Sequence, residues 1–169
     1  MFHEALQSLP EIAQSGSAPS VDLRSPVWSA RLVARYCDAM SQENVDAVRE
    51  EFERFSRGDF SRIAGLPDDV EVVTSREMPD AGTYRGQEAR EWMSGWVDSF
   101  DSLTLAPTEF LEAGDQVMVE FVQRGIPRGG NTPVELRTWS LTTLREGLVT
   151  RYQLFQTREE ALEAAGLQE

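Results

Sequence analysis

From residue 40 onward the apolar positions follow two rhythms, first helical and then alternating. Val45, Val48, Phe52 and Phe55 recur every three or four residues, which predicts one helix, and Gly58 predicts its end. Ser41 is an acceptable helix start, with Asn44 three residues on in place of the acid of a full capping box. "RGDFSRIAGLP" predicts a second short helix, and residues 69–78, "DVEVVTSREM", a strand with β-branched residues. "PDAGTYRG" reads as a loop. Trp92, Trp96 and Phe100 at i, i+4 and i+8 predict a helix over 87–100. Alternating strands follow at 102–112, 116–126, 132–145 and 148–156, joined in part by the turns "PRGGN" and "REG". "TREEALEAAG" closes the chain as a short acidic helix. Helices first and antiparallel strands later predict an α+β fold, a mostly antiparallel sheet wrapped over helices.

Before residue 40 the rhythm is absent. Residues 1–26 are rich in Ser, Pro, Ala and Gly and read as disordered or loosely attached. Trp28, Leu32 and Tyr36 allow a short amphipathic helix over 27–39.

Composition narrows the function classes. The length of 169 residues suits one domain with a sizeable core. A net charge of −13 repels phosphate backbones and anionic lipids, so neither nucleic acid nor membrane is expected as a partner. No apolar run is long enough for a membrane span, the start lacks the cationic and apolar regions of a secretion signal, and one cysteine makes no internal disulfide. A cytoplasmic protein is expected. All 16 cationic residues are arginine, which fits the coding bias of a GC-rich bacterial genome and excludes lysine chemistry.

The ordered runs "NVDAVREEFERFSRGDF", "PDDVEVVTSREMPDAGTYRGQEAREWMSGWVDSF", "GDQVMVE" and "TLREGLVTRYQLFQTREEALEAAGL" together resemble the SnoaL-like branch of the nuclear-transport-factor-two superfamily. The resemblance spans about residues 40–167. It implies a cone-shaped roll, with a curved sheet closed by three helices in the N-terminal half around a pocket, and a homodimer formed through the outer sheet face. Members commonly start with a tail like "MSQENV". Two accounts of residues 1–39 follow: an upstream start assignment with Met40 as the initiator, or a genuine N-terminal arm. The domain proper is residues 40–169.

That boundary limits the chemistry. His3 and Cys37 are the only His and Cys, and both precede Met40. The domain thus has no Ser-His-Asp or Cys-His set and no His/Cys metal spacing, so neither metal nor cofactor is expected. Carboxylates, Arg, Tyr and hydroxyls remain. By resemblance, the catalytic Asp of ketosteroid isomerases falls on Thr74 and its oxyanion donors on Glu51 and Ser140. The acid of SnoaL-type cyclases falls on Leu154. The Asp-Arg-Asp set of limonene-epoxide hydrolases falls on Gln123, Phe121 and Leu154. No set is intact, which disfavours those three reactions.

The same registers predict an inward parity for Phe121, Gln123, Thr138, Ser140, Thr142, Tyr152, Leu154 and Gln156. Helical spacing adds Phe52, Phe55, Trp92 and Trp96, and Thr74 and Tyr84 complete the candidate pocket. Such a wall suits a small, uncharged, partly apolar ligand. The alternatives are core packing for the tryptophans, a solvated stripe for Thr138, Ser140 and Thr142, and loop packing for Tyr84. Glu51, at the edge of the first helix's apolar stripe, is either a solvated flank residue or, with Tyr152 or Tyr84, a catalytic pair whose carboxyl is tuned by desolvation. Glu120, Arg124, Arg137 and Trp139 take the opposite parity and the outer face. Three readings stand: a ligand-binding domain, a cofactor-independent isomerase, lyase or hydrolase, and a dimeric interaction module with a filled pocket.

Overall fold

The structure, a computed structural model, describes residues 42–78 and 80–168. The expectations for residues 1–39, for His3 and Cys37 and for the Ser41 cap lie outside the described residues.

Helix α1 runs over 42–55. Its stripe of Val48, Phe52 and Phe55 is at most 5% exposed and packs on Leu103, Leu105, Val117, Val119 and Phe121 of the sheet. Burying each such side chain contributes about 1.5–3 kcal/mol, so packing rather than intrinsic propensity holds this helix. Gly58, at φ +77°, stops it. Asp59 then accepts hydrogen bonds from the Ser61 amide (3.1 Å) and hydroxyl (2.6 Å), and Arg54 pairs with it at 2.6 Å. These contacts hold the Asp59 carboxyl below its ordinary range, the Ser61 hydroxyl foremost. They also order the expected second helix, which is a 3-10 turn, Ser61–Gly65.

Strand β1 (Glu71–Thr74) is shorter than the expected 69–78, because Thr74 turns the chain by local hydrogen bonds. The expected loop contains a strand, β2 (Thr83–Arg85), paired antiparallel with β1. Three residues within a Gly-containing run carry no alternating pattern of their own, so the pairing partner decides. Helix α2 (Gln87–Asp98) follows Gly86. Gly86 sits at φ +53°, its amide donates to the Val70 carbonyl at 2.7 Å, and a Cβ there would lie 2.5 Å from the Asp68 carbonyl oxygen. Only glycine fits that conformation at that distance.

Strands β3 (Phe100–Ala113), β4 (Gln116–Pro127), β5 (Val134–Arg145) and β6 (Leu148–Phe155) form consecutive antiparallel pairs. Glu146 and Gly147, both at positive φ, make the two-residue turn between β5 and β6. The six described strands form one sheet in the order β2-β1-β6-β5-β4-β3, antiparallel except for β1 and β6, which run parallel. A register shift between Pro107 and Glu109 changes the phase of edge strand β3, so Leu105 and Phe110 both face α1 despite their odd spacing. This is the expected α+β roll, with α1, α2 and the 3-10 turn on one sheet face.

The other face has its own cover. Helix α3 (Arg158–Ala165), capped by Thr157 and ended by Gly166 in the left-handed conformation, buries Ala161 and Leu162 on Met118 and Leu141. Part of the face assigned to a second copy is thus occupied by the chain's own C-terminal helix. Glu120, 8% exposed, lies there as expected, bonded to Arg137 and 3.5 Å from Arg158, which also bonds Glu109. Arg124 pairs with Glu135 at 2.7 Å.

Candidate functional site

Between the helices and the inner sheet face lies a cavity of about 260 Å³. Its position follows from the strand phase. Across β4 and β5 the registered pairs are Phe121 with Thr138 and Val119 with Ser140, and across β5 and β6 Ser140 with Leu154. Phe121, Gln123, Thr138, Ser140, Tyr152 and Leu154 line the cavity from the sheet. Phe52 and Phe55 of α1 and Trp92 and Trp96 of α2 line it from the helices.

Four expected residues stand elsewhere. Thr74 is 5% exposed and closes the β1–β2 connection, donating to the Asp80 carbonyl (2.7 Å) and accepting from the Gly82 amide (2.9 Å). Tyr84 stacks on Trp92, with centroids 5.4 Å apart, and donates to the Asp80 carbonyl at 3.1 Å. Thr142 has the inward parity but is fully buried and does not line the cavity. Gln156 follows the last residue of β6 and is exposed, so strand parity no longer applies to it.

Other wall residues were not foreseen. Leu136 shares the parity of Thr138, and Met93 lies three residues before Trp96, so both were within reach of the same periodicity. Phe60 and Ile63 come from the 3-10 turn, and Met78 and Asp80 from the β1–β2 connection, where no periodicity exists to read. Val72 and Leu105 depend on the sheet order and the β3 bulge. Asp80 and Leu136 are exposed and mark the mouth.

Apart from Asp80 at the mouth, the polar groups of the wall are neutral and largely unpaired. The Ser140 hydroxyl, in a residue 2% exposed, has no hydrogen-bond partner among the described residues. Gln123 (8%) and Thr138 (5%) line the cavity with no side-chain hydrogen bond among the described residues either. Tyr152 differs: its hydroxyl donates to Glu51 Oε1 at 2.7 Å. Glu51 is half-buried, and burial pushes its carboxyl above the ordinary 4.5 despite the opposing pull of Tyr152, Arg62 and Arg54. Burial, then the Glu51 charge, hold the Tyr152 phenol well above its ordinary value. Glu51 itself is absent from the cavity wall. Among the described residues no cluster of three or more His, Cys, Asp or Glu is arranged to hold a metal, and no helix is long and apolar enough to cross a membrane.

The model of the SnoaL-like domain matches residues 33–152. The chain belongs to the SnoaL-like family. Solved structures place this SnoaL-like chain in the NTF2-like fold. An NTF2-like protein of Burkholderia pseudomallei K96243 matches at a TM-score of 0.57 and 24% identity, over 72% of this chain and 95% of its own. TerC, co-crystallised with polyporic acid, matches at 0.57 and 26%, over 73% and 98%. An NTF2-like protein of Burkholderia xenovorans LB400 matches at 0.53 and 28%, over 74% and 96%. No match was found among curated proteins.

Proposed function

We propose that this SnoaL-like domain binds an uncharged, mostly apolar small molecule with one or two hydrogen-bonding groups. The Ser140 hydroxyl carries the reading. A buried hydroxyl without a partner costs about 1–3 kcal/mol, and a ligand oxygen or N–H in the cavity relieves that cost. The volume supports it: an apolar cavity of ~150 Å³ admits benzene, and about 260 Å³ gives room for a two-ring compound. Phe52, Phe55, Trp92 and Trp96 offer aromatic faces for such a ring system. An open cavity of this size weighs against the filled interaction module.

Isothermal titration with 2-tetralone, a two-ring aromatic ketone, tests the reading. Binding that disappears on filling the cavity by Ser140→Trp supports it, and equal affinity in that variant removes it. Polyporic acid, with which TerC is co-crystallised, is the comparison probe. No Arg side chain lines the wall to meet an anion, so the ketone is expected to bind more tightly than the acid.

The bond from Tyr152 to Glu51 favours a second reading, a cofactor-independent isomerase, lyase or hydrolase in which Tyr152 meets the substrate and Glu51 acts through it. A homodimer through the outer sheet face is also proposed, on the part that α3 leaves uncovered around Arg124 and Arg137. A sedimentation mass of one chain would remove it.

A further inference from the structure

We propose that Tyr152 and Glu51 form a proton relay through the cavity wall, exchanging protons between a ligand inside and water in a separate cleft beside α1. It rests on the cavity being a ligand site. Tyr152 lines the cavity and its hydroxyl donates to Glu51. Glu51 instead borders a second cleft of about 630 Å³, together with Ser61, Arg62, Gly65 and Leu148. These four neighbours are exposed, so that cleft opens to bulk water. One hydrogen bond of 2.7 Å thus joins a residue of the cavity wall to a residue of the cleft. The helix produces this division: Phe52 lines the cavity, and Glu51, one residue and ~100° earlier on α1, faces the cleft.

The relay moves one proton per event. A ligand C–H beside a carbonyl, or an acidic O–H, gives its proton to Tyr152 Oη as the phenolic proton passes to Glu51 Oε1. The electron pair of the broken bond stays on the ligand as enolate or oxyanion. Neutral Glu51 then releases the proton to water in the cleft, and the reverse order reprotonates the ligand. The phenol gains one proton as it loses another, so no tyrosinate has to exist in the buried site. The charged groups around Glu51 are Arg62 from the 3-10 turn, Arg54 on its own helix and Glu50, which pairs with Arg62 at 3.0 Å. Burial outweighs both arginines and makes the Glu51 carboxylate a stronger base than an exposed one. The substrate class is an enolisable ketone or a phenol.

The test uses the full chain, 2-tetralone in deuterated buffer, mass spectrometry of its deuterium uptake, and calorimetry of its binding. The wild type is expected to accelerate uptake over buffer. Glu51→Gln and Tyr152→Phe should each reduce that acceleration about 100-fold or more, and Glu51→Gln, which is not in the cavity wall, should keep affinity within a few-fold. The wild-type rate should fall as pH drops through the Glu51 ionisation, and the Glu51→Gln residue of activity should lack that limb. Gly65→Phe addresses the exit. A Cβ at Gly65 meets nothing within 4 Å, so the added side chain starts from open space at the cleft. It should slow uptake at least tenfold with unchanged affinity. Wild-type uptake in Glu51→Gln or in Gly65→Phe overturns the relay. Ketone that binds the wild type without accelerated uptake also overturns it and leaves the binding reading standing. Ketone that does not bind removes both.

Discussion

Glu120 and Ser140 lie in the same sheet, on neighbouring strands and opposite faces, and both are buried. On the outer face the chain supplies Glu120 with partners: Arg137, and Arg158 from α3. On the inner face it leaves Ser140 with none among the described residues. A fold able to pair a buried charge is able to pair a hydroxyl. The contrast holds for these two positions and not for whole faces, since Trp139 Nε1 on the outer side and Thr142 Oγ1 are also buried without a partner among the described residues; what sets Ser140 apart is that it lines the cavity.

The sharpest way to break this contrast is at Leu141 and Ser140, adjacent residues on opposite faces. Leu141→Ala opens a hole beneath α3 and is expected to cost about 2–5 kcal/mol in urea unfolding. A loss well below that range would mean that α3 is only loosely seated. Glu120→Gln is expected to cost about 1.5 kcal/mol, the low end for hydrogen bonds to charged groups, because the Arg137 side chain is 60% exposed. Ser140→Ala should go the other way, from neutral to about 1 kcal/mol more stable, since it removes an unpaired buried group. A clear destabilisation by Ser140→Ala would show that the hydroxyl has a partner and would erase the difference between Ser140 and Glu120.

The smallest effect is a pH dependence. The Glu51 carboxyl is raised in the folded state, so its contribution to stability is fully present below 4.5 and is lost as pH rises through the raised value. The stability of the wild type relative to Glu51→Gln should therefore decline over that interval. A difference independent of pH would mean that Glu51 is solvated like its neighbours.

Periodicity made most of this architecture legible. Val48, Phe52 and Phe55 announced α1, and strand parity carried Phe121, Gln123, Thr138, Ser140 and Leu154 to one cavity. Glu51 matches neither expected position: it is half-buried and bonded to Tyr152, 101 residues away, yet it borders the cleft outside the cavity. Parity failed where its premise ended. Gln156 lies past its strand, and Thr142 keeps the phase but is buried without lining the cavity. Thr74 satisfies itself locally. Strand β2 and the wall residues Met78 and Asp80 belong to a connection whose shape is set by tertiary partners, which no local pattern encodes.

The parallel pairing of β1 with β6 sets an order of events. Val72 aligns with Tyr152 and Thr74 with Leu154, so the chamber gains its last wall only when the two ends of the domain meet. Contacts that distant in sequence form slowly, and during synthesis they must await the final strand. Occupancy of the chamber therefore presupposes a completed roll. A guest that recognises only that roll raises its melting temperature as a whole, and no earlier fragment shares the benefit.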